Sequence, residues 1–336
     1  MSAISQVRVH APGRVQIDSI APPDPGPRDA VVCVKACGIC GSDVGYVRLG
    51  GVAGPSKEPM PLGHELSGVV DAVGAEVECV AVGDRVVVDP LAAGNQIGNG
   101  GREGGFTPRL LVRNAADGGA LVLIPDDLSF ELAALAEPLG VGMQAVIRSG
   151  AKPGDRAVVF GAGPVGLMAV ASLRDRGIDD VVSVDLSDTR LELARTLGAS
   201  ETIHPGREPL WDRLRELHGT APVLGTPMLA TDIYIEASGH SPLIGEVLAN
   251  ACSRATLSVV GLHRQVVPVS FLVVMMKELD IVGSMAQPDD WNLMVHMLNR
   301  IDLGPVITHR FELDQFERGL AIAQDPNAGG KVMIGC

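Results

Sequence analysis

Apolar residues along the chain fall into short runs whose character changes near residue 130. Before that point Val31 to Lys35, Leu66 to Val73 (interrupted by Gly68) and the Arg85 to Asp89 segment behind Gly83-Asp84 are compact and rich in β-branched residues. They read as strands separated by turns. Prolines at 12, 22, 23, 25, 27, 55, 59 and 61 oppose long helices in this region. Residues 94 to 105 are dominated by glycine and read as a loop between two strands.

From Phe130 onward the pattern alternates. Glu131 to Ala136 reads as helix, and the turn Gly150 to Gly154 introduces a strand at Arg156 to Phe160. A helix over Val165 to Arg174, a strand over Asp180 to Asp185 and a helix over Thr189 to Leu197, ended by Gly198, follow. Ile233 to Glu236, Ala255 to Val260 and Leu279 to Val282 are further strands. The closing stretch carries a strand at Val306 to Phe311, a helix at Leu313 to Gln324 and a short strand at Lys331 to Ile334. Uniformly apolar strands alternating with helices predict an α/β fold with a parallel sheet covered on both faces.

Composition narrows the function. With 336 residues the chain is long enough for two domains. A net charge of −13 repels nucleic-acid phosphates, and ten aromatic residues leave little for base stacking. The uncharged segment Ala157 to Leu173 contains three glycines and a proline, which suits a buried strand, turn and helix better than a membrane span. The opening MSAISQVRVHAPGRVQ has no apolar signal core, and six cysteines are far too few for a disulfide scaffold, so a cytoplasmic location is expected. Small-molecule chemistry, with neither nucleic acid nor membrane as partner, is the class that remains.

Two constellations carry that chemistry. Gly161-Ala162-Gly163-Pro164-Val165-Gly166 follows a strand and opens a helix, the arrangement in which glycines make a tight turn and helix amides face a pyrophosphate. The next strand ends in Asp185, 24 residues after Gly161, where a carboxylate accepts hydrogen bonds from the adenosine ribose and repels a 2′-phosphate. NAD is thus favoured over NADP. Arg190, nearby, is either a further cofactor contact or a helix-surface residue. The second constellation is Cys37-Gly38-Ile39-Cys40-Gly41-Ser42-Asp43 with Gly63-His64-Glu65. Thiolate, imidazole and carboxylate are the ligands of catalytic zinc, although Cys33, Cys79 and Cys252 sit among small or branched residues and read as core.

The runs CGICGSD, GHELSG, GDRVVV, EPLGVG, GAGPVG, IEASG, IVGS and GGKVMI together resemble the zinc-dependent medium-chain dehydrogenase/reductase family over essentially the whole chain, in particular its sorbitol and polyol dehydrogenase branch. The resemblance implies a Rossmann dinucleotide-binding domain over 150–285, and a mainly β, GroES-like catalytic domain from 1–149 and 286–336. It implies Cys40, not Cys37, as zinc ligand, with His64, the adjacent Glu65 and Glu137 of the EPL motif completing the site, and Asp43 fixing the imidazole. Ser42 matches the hydroxyl that takes the substrate proton. Gly45 stands where many relatives place a relaying histidine, so the onward path is absent or runs through water or Tyr46. Phe106 either lines the substrate cleft or packs in the core, and Lys331 either pairs with Glu65 or forms a surface ion pair.

Where many members carry a four-cysteine lobe for structural zinc, residues 91 to 101 hold no cysteine, so one catalytic zinc per subunit and no structural zinc are implied. The activity implied is hydride transfer between NAD and a secondary alcohol, polyol or sugar derivative, with zinc polarising the alcohol. A homo-oligomer, dimer or tetramer, is implied as well, with the apolar run Val266 to Met276 as a candidate late strand at a paired sheet edge. Two other readings stay open. One is a zinc-free quinone or enone reductase of the same superfamily, and the other is a nucleotide-binding protein without activity.

Overall fold

The computed structural model describes residues 2–336, which form two compact units, one from residues up to Glu137 together with Asp290–Cys336, the other Pro138–Asp289. In chain order the first unit contains β1 (Ile4–Ala11), β2 (Arg14–Ile20), β3 (Ala30–Ile39), α1 (Gly41–Leu49), β4 (Met60–Pro61) and β5 (Glu65–Val73). It continues with β6 (Arg85–Val88), β7 (Arg109–Val112), β8 (Leu121–Leu123), α2 (Phe130–Ala134) and the start of α3 (Ala136–Ser149). The second unit holds the rest of α3, then β9 (Arg156–Phe160), α4 (Pro164–Asp175), β10 (Asp180–Val184), α5 (Asp188–Thr196) and β11 (Glu201–Ile203). There follow α6 (Leu210–His218), β12 (Thr220–Val223), β13 (Thr226–Leu229), β14 (Ile233–Glu236), α7 (Pro242–Asn250), β15 (Thr256–Val259), α8 (Phe271–Lys277) and β16 (Asp280–Gly283). The chain then returns to the first unit with α9 (Asn292–Leu298), β17 (Ile307–Glu312), α10 (Phe316–Gln324) and β18 (Lys331–Gly335).

In the second unit six parallel strands run in the order β11-β10-β9-β14-β15-β16. Counted along this sheet the order is 3-2-1-4-5-6, that of a doubly wound dinucleotide-binding sheet, with its reversal of direction between β9 and β14. The apolar content of Ala157 to Leu173 is now explained. Ala157 to Phe160 of β9 and Gly166 to Leu173 of α4 are all buried, so strand and helix have nowhere to place a charge. The first unit is mainly β. Its larger sheet runs β17-β18-β3-β5-β6-β8 with β7 also paired to β3, and a three-stranded sheet runs β2-β1-β4. These two units give the mainly β GroES-like and Rossmann combination that the motifs imply.

Two expectations are corrected. Val266 to Met276 is not a strand: residues 266–270 are irregular, and Ser270 Oγ accepts the Val273 amide and starts α8. Pro268 interrupts the ladder such a strand needs, and the edge strand of the sheet is β16. The proline-rich first third holds a short helix, the nine-residue α1, as the expectation against long helices allows, because the prolines flank residues 41–49 without entering them. The last helix begins at Phe316, after a 3₁₀ turn over Leu313–Gln315.

Phe106 is a core aromatic. It is fully buried, its ring centroid lies 4.8 Å from that of Phe316, and it belongs to the core that β3, β5 and β18 share. Phe106→Ala should therefore cost about 3–5 kcal/mol of stability in the first unit. Denaturant unfolding followed by Trp291 fluorescence in a Trp211→Phe background checks this, and a loss below about 1 kcal/mol would contradict the packing described.

Candidate active site

The site starts where β3 ends. Cys40 has extended backbone and caps α1, and its amide donates to Asp43 Oδ2 at 2.9 Å. The other Asp43 oxygen accepts the Gly63 amide at 3.3 Å and faces His64 Nδ1 at 3.6 Å. Fully buried Asp43 thus ties the head of a helix to the loop that delivers His64 and Glu65 into β5. Lys331, the first residue of β18, reaches from behind: its Nζ donates to Glu65 Oε1 at 2.6 Å and to the Ile39 carbonyl at 3.2 Å, with both side chains almost wholly buried. This is a buried pair, not a surface one.

One ligand atom from each of Cys40, His64 and Glu65 lies within 4.8 Å of the other two. Sulfur, nitrogen and oxygen donors in one cluster are zinc's own preference. Buried Glu65 Oε2 and His64 Nδ1 have no hydrogen-bond partner, which leaves the carboxylate a free oxygen to offer an ion. The residues fit a zinc ion.

Burial governs the charges here. It pushes the Cys40 thiol up to about 12, with Glu65 and Asp43 adding to the effect. Burial likewise raises Glu137 to about 8, against the pull of His64. For His64 burial opposes protonation, but Asp43, Glu137 and Glu65 outweigh it and its pKa rises. Lys331 is raised in the same way, burial being overcome by Glu65. Without an ion the cluster therefore holds protons that a cation would displace.

The remaining candidates take these places. Ser42 Oγ lies 3.3 Å from His64 Nε2 on the first turn of α1. Tyr46, one turn further on, donates its hydroxyl to Asn99 Oδ1 at 3.1 Å, which anchors the glycine-rich loop to α1. Glu137, at the buried start of α3, is near enough for its charge to act on His64, Glu65 and Cys40, although its oxygens fall outside the three-residue cluster. All six cysteines are free thiols.

The dinucleotide candidates occupy the carboxyl end of the parallel sheet. Gly161 has φ +92°, and Gly166 packs so tightly that a Cβ there would lie 1.8 Å from the Gly161 carbonyl oxygen. Gly163 caps α4, with Pro164 and Val165 forming its first turn. Asp185 follows β10 directly; its Oδ2 accepts the Ala162 amide at 2.7 Å and its Oδ1 the Ser187 amide at 2.8 Å. Arg190 lies in the first turn of α5, its guanidinium beside Gly163. One pair escaped the sequence reading: His263 Nε2 lies 2.7 Å from Glu236 Oε2 across 27 positions, a separation that no spacing rule connects.

Comparison with known proteins decides the family. Residues 26–125 match the alcohol dehydrogenase GroES-like domain and residues 164–300 the zinc-binding dehydrogenase domain. Sorbitol dehydrogenase of Homo sapiens is 31% identical over 354 residues, covering 98% of this chain and 94% of that protein. The chain belongs to the zinc-dependent medium-chain dehydrogenase/reductase family. Among solved structures, a chain described as a zinc-binding dehydrogenase from Sinorhizobium meliloti 1021, bound to NADP, has TM-score 0.86 and 26% identity and covers 100% of both chains. An alcohol dehydrogenase from Escherichia coli CFT073 complexed with NADH has TM-score 0.87 and 25% identity, again over 100% of both. As a member of this family the chain is an oxidoreductase. Among the described residues no helix is long and apolar enough to cross a membrane.

The raised thiol makes zinc binding pH-dependent. With Cys40 near 12, the metal-free thiol is protonated at neutral pH, so binding releases at least one proton and affinity rises with pH, by about tenfold per unit for one proton. Titration calorimetry of zinc into metal-free protein, repeated in buffers of different ionisation heat, should show this release and saturate at one ion per chain. A heat independent of buffer would refute it.

Proposed function

We propose that the chain is a zinc- and NAD-dependent dehydrogenase that transfers hydride between NAD and a secondary alcohol, polyol or sugar derivative. The observation that carries this reading is the buried convergence of Cys40, His64 and Glu65 beside the Ser42 hydroxyl. Such a donor set has little purpose in a zinc-free reductase or in a protein that only binds nucleotide.

Cys40, His64 and the glutamates Glu65 and Glu137 are the residues to hold the ion, and Asp43 orients the imidazole. When bound, zinc supplies Lewis acidity that makes an alcohol easier to deprotonate, and NAD supplies the hydride acceptor. Ser42 takes the proton released, and Tyr46 is the next hydroxyl along the same helix face. Lys331 holds Glu65 in place. For the coenzyme, Gly161, Gly163, Pro164, Val165 and Gly166 form the phosphate turn. Each Asp185 oxygen accepts one backbone amide and retains a lone pair for a ribose hydroxyl, which supports NAD over NADP. Arg190 stands beside the same turn.

A homo-oligomer of cytoplasmic protein completes the reading. Phe271, Leu272 and Met275 of α8 are between 63 and 75% exposed, close in sequence to the edge strand β16, and a second copy of the chain would cover them. The paired substitution Phe271→Glu, Met275→Glu should yield smaller particles by sedimentation. An unchanged size would reject α8 as a subunit contact.

The activity is tested by NADH formation with sugar alcohols, sugar acids, threonine, vicinal diols and simple alcohols. Glu137→Ala should lower turnover at least a hundredfold and loosen zinc, whereas unchanged turnover would remove Glu137 from the site. Asp185→Gly should raise the NAD KM about tenfold or more while leaving the alcohol KM in place. Equal KM values in both forms would discount the ribose contact.

A further inference from the structure

The carboxyl edge of the second unit's sheet holds a polar brace outside the family motifs' assigned roles. Glu236, the last residue of β14, is fully buried. Its Oε1 accepts the Ser238 amide at 2.8 Å, the Gly239 amide at 2.8 Å and the Ser238 hydroxyl. Its Oε2 faces His263 Nε2 at 2.7 Å. The other ring nitrogen of His263 lies 3.2 Å from Ser241 Oγ, directly before α7. One carboxylate and one imidazole therefore join the loop after β15, the turn after β14 and the head of α7.

That turn is the wall of the phosphate-binding loop. A Cβ on Gly161 would lie 2.9 Å from both Cα and N of Ser238, so Gly161 and Ser238 are in direct backbone contact. On the other side Gly261 is just as close: a Cβ there would sit 2.4 Å from Glu236 Oε2 and 2.5 Å from the Gly239 nitrogen. The ends of β9, β14 and β15 thus meet around Glu236, at the reversal in strand order where a doubly wound sheet binds its dinucleotide. A buried carboxylate is tolerated only when its oxygens are satisfied. Without His263, Oε2 would lose its hydrogen-bond donor, and the turn that Glu236 braces would lose its tie to the loop after β15.

We propose that His263 is a positioning residue for the dinucleotide: through Glu236 it fixes the Ser238-Gly239 turn against Gly161. This deepens the NAD reading above and rests on it. The role differs from a plain packing tie in what it affects. It acts on coenzyme affinity and leaves the zinc cluster, which belongs to the other unit, untouched.

The test is NADH binding by fluorescence, with NAD and alcohol KM values measured alongside, on the zinc-loaded wild type, His263→Ala and His263→Gln. His263→Ala should weaken NADH binding at least tenfold and raise the NAD KM in step, with the alcohol KM unchanged and kcat within about threefold. His263→Gln, which keeps an N–H for Glu236, should return NADH affinity to within about threefold of wild type. Wild-type affinity in His263→Ala, a loss spread equally over both substrates, or no recovery in His263→Gln would each overturn the proposal. A wild-type protein that binds no NADH would instead remove the NAD reading, and this inference with it.

Discussion

The Lys331–Glu65 ion pair is the contact on which the first unit's chemistry depends. Both groups are out of water, and such a pair is justified less by net stability than by what it fixes. Removing either partner leaves a lone buried charge, a loss of about 3–5 kcal/mol. What it fixes is Glu65, one residue from His64, held by a strand near the other end of the chain. The sheet makes the reach possible, because β18 pairs with β3, and β3 with β5.

Around that pair the site is acidic by design. Asp43, Glu65 and Glu137 crowd one thiol and one imidazole, with Lys331 the balancing cation. Burial disfavours charge on the Cys40 thiol and the Glu137 carboxyl, and a divalent ion bound there would favour their ionised forms. The second unit solves a related problem differently. It presents backbone amides at the head of α4, with the Arg190 guanidinium beside Gly163.

Much of this was legible in the sequence, for identifiable reasons. The strands at Arg156–Phe160 and Ile233–Glu236 stand out because every residue from Ala157 to Phe160 and from Ile233 to Glu236 is buried and each run is preceded by a charged residue, Arg156 or Asp232. The glycine turn was readable because its backbone demands glycine at Gly161 and Gly166. Helix α1 was not, since it carries two glycines and two valines and has no strong apolar face. The run ending at Met276 misled because exposed apolar side chains on α8 look, in one dimension, like the interior of a strand. The partners Glu65 and Lys331, 266 residues apart, were within reach only through the family resemblance, and Glu236 and His263 were missed, because both pairs meet through sheet topology, which local patterns do not encode.

The division of the chain also has a consequence for how the protein is made. The dinucleotide unit is continuous, Pro138–Asp289, and every strand of its sheet has been synthesised before residue 290 is added. The metal-site unit is discontinuous and lacks β17, β18 and Lys331 until synthesis is nearly finished. During translation Glu65 waits without its partner while a completed neighbour forms between the two halves of its own sheet. The strand that braces Glu65 is therefore among the last parts of the chain to be made.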